Sequence, residues 1–153
     1  MRKLSEAFYF VAITLWVGGM WAIGYIAAPV LFSSLGDRQL AGMVAGKLFS
    51  LMGWVGLGSA AYLLIFLIAR CRGQAFRRAV FWLVLLMAVL AAVSQFGIQP
   101  LMAQLKADAL PREVMESVLR DRFAAWHGVS SILYLMQSGL GLWLVVWANR
   151  GLR

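Results

Sequence analysis

The stretch "RCRGQAFRRAVFWLVLLMAVLAAVSQFGIQPLMAQLK", residues 70–106, opens on a knot of arginines. It then carries no Asp, Glu, Lys or Arg between Arg78 and Lys106. A helix needs roughly 20 apolar residues to cross a hydrocarbon core of about 30 Å, and this run exceeds that. The same gap recurs between Glu6 and Asp37, between Lys47 and Arg70, and between Arg122 and Arg150. With 63% hydrophobic and 13% charged residues, the chain lies far from the roughly 25% charge of a soluble domain. Four spans follow, at about residues 7–32, 48–69, 79–101 and 126–147. They leave little over, so residues 1–153 read as a single four-span membrane domain. The expected fold is all-α, an integral membrane four-helix bundle.

Charge orients the bundle. The net charge of +8 belongs to residues flanking the spans, where it meets anionic lipid headgroups. No basic stripe tracks a phosphate backbone, so nucleic acid is not an expected partner. Even spans put both termini on one side. The arginines of "RCRGQAFRR" make that side the denser in positive charge, so both termini are expected in the cytoplasm. The start, "MRKLSEAFYFVAITLW", has a signal-like basic beginning. Its apolar run is too long for a typical h-region and reads as a retained first span. Trp54, Trp82, Trp126 and Trp147 fall near span ends, as interfacial belts require, whereas Trp16 and Trp21 do not.

The second connection is a tight turn, so spans 2 and 3 should pair as an antiparallel hairpin. In the third, Val114, Met115, Val118 and Leu119 recur at helical spacing opposite Arg112, Glu113, Glu116 and Arg120. This predicts a short amphipathic helix on the outer surface, starting at Pro111. Pairs of small residues four apart, such as Gly42 with Gly46 and Gly56 with Ala60, let helix backbones approach closely.

Span 4 carries His127, Ser130, Ser131, Tyr134, Gln137 and Ser138 in steps of three and four, which puts them on one helical face. Gln95 and Gln99 of span 3 fall at a similar depth, and Tyr25 lies along the outward course of span 1. Together His127, Ser130, Ser131, Tyr134, Gln95, Gln99 and Tyr25 form a candidate polar pocket near the outer face. The competing reading is hydrogen-bonding glue between helices, each bond contributing on the order of 1 kcal/mol. No Ser/His/Asp set, H-E-x-x-H or phosphate-binding glycine loop is present, so no catalytic residue is assigned and enzyme activity is not expected. Cys71 is alone and supplies neither a disulfide nor a metal site. A lone histidine leaves haem or copper to a His/Met arrangement through His127, and neither cofactor is expected.

Two stretches carry a resemblance. "LWVGGMWAIGYIAAPVLFSSLGDRQLAGMVAGKLF" (residues 15–49) and "FAAWHGVSSILYL" (residues 123–135) resemble the transmembrane protein 205-like family, domain of unknown function 4149. The matching positions are Trp16, Gly18, Pro29, Phe32, Gly42, Lys47, Leu48, Phe49, Phe123, His127, Gly128, Ser130 and Ser131. The resemblance implies a four-span integral membrane protein and names no reaction. The expectation is an accessory or scaffold subunit, or a small binding module, in a bacterial inner membrane. It would act as a homo-oligomer or within a larger membrane complex. The alternatives are an oligomeric small-solute or metal transporter and a haem-linked membrane redox protein.

Overall fold

The Asp37 carboxylate accepts hydrogen bonds from the backbone N–H groups of Gln39 (2.8 Å) and Leu40 (3.1 Å). This N-cap satisfies donors that a helix start leaves free, and from it α2 runs unbroken over Arg38–Cys71, 34 residues. The structure, a computed structural model, describes residues 2–110, 115 and 118–151. It adds α1 (Lys3–Ser34), α3 (Ala79–Ala109) and α4 (Arg120–Trp147), so that 4 helices are long and apolar enough to cross a membrane. Among the described residues every regular element is helical, and the chain is an all-α membrane bundle.

Each helix outruns its apolar core. Hydropathy marks only the part in hydrocarbon, whereas backbone hydrogen bonding continues until a cap or breaker stops it. Hence α2 starts at its Asp37 cap, well before residue 48. The amphipathic helix expected from Pro111 to Leu119 lies outside the described residues, apart from Met115, Val118 and Leu119.

Two prolines lie inside spans without ending them. The residue four before Pro29 is Tyr25, within a wide π-turn over Ala22–Ala27. The residue four before Pro100 is Phe96, within a second one over Val93–Ile98. Proline lacks an N–H and clashes with the carbonyl four residues back. The extra residue in a π-turn moves that carbonyl aside, so the helix continues. A third such turn, Thr14–Gly18, runs into Gly19.

After Cys71 the chain reverses through a 3-10 stretch, Arg72–Arg77. The Arg78 N–H donates to the Ala75 carbonyl at 3.0 Å, and Trp82 Nε1 donates to the Phe76 carbonyl at 2.8 Å. The reversal sets α2 and α3 side by side as the expected hairpin. Neighbouring contacts join α1 to α2, α2 to α3, α3 to α4 and α4 back to α1. The bundle therefore has a termini end, with the Cys71 hairpin, and a loop end, with the connections after Ser34 and Ala109.

Packing is concentrated toward the termini end. The largest fully buried side chains are Tyr9, Met20, Leu63, Leu67, Met87, Leu144 and Val84. They belong to one apolar cluster with Trp16, Met52, Phe66 and Phe81. Trp16 enters the core because Gly56 has no side chain. A Cβ there would stand 2.6 Å from the indole Nε1. Polar ties close this end: Tyr9 donates to the Ala148 carbonyl (3.1 Å), Tyr62 to the Ser5 carbonyl (3.1 Å), and Arg70 pairs with Glu6 (3.0 Å). At the loop end, residues 21–34 of α1 and 120–136 of α4 include no buried side chain, and burial rests on Ala41, Ala45, Gln95, Ile98, Leu105 and Ala109.

Candidate functional site

Lys106 stands on the last turn of α3 and reaches into the loop-end mouth of the bundle. It is half-buried, and its ammonium donates to the Gly42 carbonyl of α2 at 2.9 Å. The Phe123 ring of α4 lies beneath it, 5.7 Å from charge to centroid, close enough for a cation–π attraction. Gly42 and Gly46 make the floor, where added Cβ atoms would come 3.9 and 3.6 Å from the ammonium nitrogen. Phe32 of α1 borders the same glycine, 3.9 Å from the same position on Gly42. All four helices thus contribute to one site.

A second layer lies deeper. At about 1.5 Å per residue, Tyr134 is about 16 Å below Phe123 on α4, and Gln95 is about 16 Å below Lys106 on α3. Tyr134 meets Phe49 edge-on at 5.2 Å and Tyr25 at 6.3 Å between centroids. Its hydroxyl donates to the Met20 carbonyl, and the ring passes over Gly24, which leaves it room. Beside this aromatic layer Gln95 is buried, and its amide nitrogen donates to Ser50 Oγ at 3.2 Å. The Gln95 Oε1 lies against Gly53 and has no hydrogen-bond partner among the described residues. Below this layer two buried polar side chains are spent on backbone carbonyls: Gln137 donates to Met87 (3.0 Å) and Ser138 to Tyr134 (2.8 Å).

The structure divides the polar series read from the sequence. Tyr134, Gln137 and Ser138 turn inward. His127 is exposed, with its ring stacked on Phe123 at 5.9 Å and 12°. Ser131 is also exposed and donates to the His127 carbonyl at 2.8 Å, and Ser130 and Gln99 are half-buried. Gln95 contacts Ser50 rather than the His127 turn. Tyr25 borders a shallow apolar groove of about 590 Å³ between α1 and α4, with Trp21, Leu135, Ser138 and Gly139. Among the motif positions, Phe32, Gly42 and Phe123 build the mouth and Phe49 the layer below. Trp16 packs in the core. Pro29 and Lys47 are exposed, and a Cβ on Gly18 or Gly128 would meet nothing within 4 Å.

Sequence reasoning missed Lys106 and Ser50. Lys106 ends a charge-free run, so it reads as a boundary charge. The Gly42–Gly46 pair announced a close approach without saying what approaches. Among the described residues no three His, Cys, Asp or Glu side chains gather where a metal ion could be held.

Comparison with curated proteins and with solved structures gives no match. Residues 11–111 match the family described as "Domain of unknown function (DUF4149)". The matched range covers most of α1, then α2 and α3, and stops short of the His127 motif on α4. The Lys106 mouth, except for Phe123, lies inside it. Since the match takes in more than half of the chain, this protein belongs to the DUF4149 family.

Proposed function

We propose that this chain is a non-conducting accessory membrane protein with a small binding site at its loop end. One observation carries the reading: a half-buried ammonium of α3, held by neutral groups of α2 and α4, sits above a termini half filled by apolar side chains. A conduit needs water or polar groups along its whole length. Here Leu63, Leu67, Val84, Met87 and Leu144 fill the bundle below the Tyr134 layer. This favours a binding or scaffold role over transport; on its sequence motifs we read the chain as a transmembrane protein 205-like subunit.

A bacterial inner membrane with both termini cytoplasmic fits the charge. Arg2, Lys3, Arg70, Arg72, Arg77, Arg78, Arg150 and Arg153 flank the termini end against one acid, Glu6. Acids and bases nearly balance at the loop end, and positive charge is retained on the cytoplasmic side.

The second reading, an oligomeric small-solute transporter, draws on the partnerless Gln95 oxygen. A buried acceptor of that kind marks a place where a passing solute could bind.

The test is native mass spectrometry of wild type and Lys106→Gln, released with host lipids. The expected result is a bound lipid, solute or partner on wild type that the variant has lost. Identical spectra, with solute flux through reconstituted wild type, would replace this reading by the transporter. A Soret band in the same preparation would favour the haem-linked alternative.

A further inference from the structure

We propose that the Lys106 ammonium binds a phosphate oxyanion in the cradle formed by Gly42, Gly46, Phe32 and Phe123. The inference rests on the loop-end binding site and names its ligand chemistry. An ammonium has three N–H donors, and among the described residues its one polar partner is the Gly42 carbonyl. The Phe123 face attracts the charge without neutralising it. The cradle is therefore electropositive, and it retains donors for an anion.

Depth selects the anion. Trp126 marks the loop-end interface on α4, and Phe123 lies about one turn beyond it. Lys106 follows the charge-free run of α3. The ammonium thus stands at headgroup level, where phosphodiesters are the abundant anions, and lysine recognises phosphate as a point charge. The glycine floor suits this task. A side chain at residue 46 would begin 3.6 Å from the ammonium and fill the space an oxyanion needs.

The same chemistry fits a phospholipid headgroup or free phosphate, and the competing explanation is a lysine that only ties α3 to α2. Delipidated wild type, Lys106→Gln, Lys106→Met and Lys106→Arg are titrated with phosphatidylcholine, with diacylglycerol of the same chains, and with inorganic phosphate. Bound species are read by native mass spectrometry and folding by thermal melting. Gln keeps a donor for the Gly42 carbonyl, so the bundle should survive if Met disrupts it.

Wild type and Arg should hold one phospholipid at least tenfold more tightly than Gln, with diacylglycerol weak and equal in all. Displacement by inorganic phosphate would assign the site to free phosphate, and no displacement to a lipid-borne one. Equal phospholipid retention by wild type and Gln would overturn the proposal. In the preparation released with host lipids, a species lost in Gln but lacking phosphate would overturn the phosphate assignment alone and leave the binding site standing.

Discussion

Single glycines decide where large side chains go. Gly53 lies under the Gln95 carboxamide and Gly56 under the Trp16 indole. A methyl group at either meets atoms that are already buried and must displace them. Gly53→Ala should therefore cost about 1–3 kcal/mol, read by thermal melting in detergent. In the double variant Gly53→Ala/Gln95→Ala much of that cost should vanish, because the clash has lost its second party. Additive losses would show that Gly53 matters for its backbone instead. The spacing of Gly56 and Ala60 made a close approach legible. Its partner was not, because a four-residue pattern names a helix face and not what crosses it. His127 illustrates the same limit. Its place on span 4 was legible, whereas its stacking on Phe123 and its separation from Gln95 depend on how α4 is rotated against α3.

The helices as units were largely legible, because charge cannot stay in hydrocarbon and the gaps between charges are long. Their extents were less so. Asp37 carries α2 beyond its apolar run, and the π-turns before Pro29 and Pro100 let α1 and α3 continue where proline alone predicts a break. The hairpin holds one strained residue: Arg72 has φ 49° and ψ −134°, a region that suits glycine. Arg72→Gly should raise stability by about 1 kcal/mol by relieving that conformation. Arg72→Ala, which keeps a Cβ, should not. A loss of stability in the glycine variant would mean that the arginine side chain matters more than its backbone.

The whole molecule is asymmetric in charge and in packing. If the termini are cytoplasmic, an impermeant maleimide should leave Cys71 unlabelled in intact spheroplasts and label it in inverted vesicles. The opposite pattern would invert the orientation. Packing predicts unequal costs: Leu67→Ala opens a cavity in the filled half and should lose about 2 kcal/mol or more. Leu135→Ala, on the exposed loop-half surface of α4, should lose under about 0.5 kcal/mol. The asymmetry was partly hidden from the sequence, since Ser94, Gln95, Gln99, His127, Ser130 and Ser131 mark the loop halves of spans 3 and 4 as more polar but only contacts show which half is filled. The most direct test of a binding site above a closed core is the labelling rate of two single cysteines in a Cys71→Ser background. One is Ser50→Cys, at the level of the half-buried Ser50 beside Gln95, and the other is Ser59→Cys, inside the apolar half. With a water-soluble thiosulfonate applied from the loop side, the first should react at least tenfold faster. Equal rates would mean that water passes the Tyr134 layer, and would contradict the closed core.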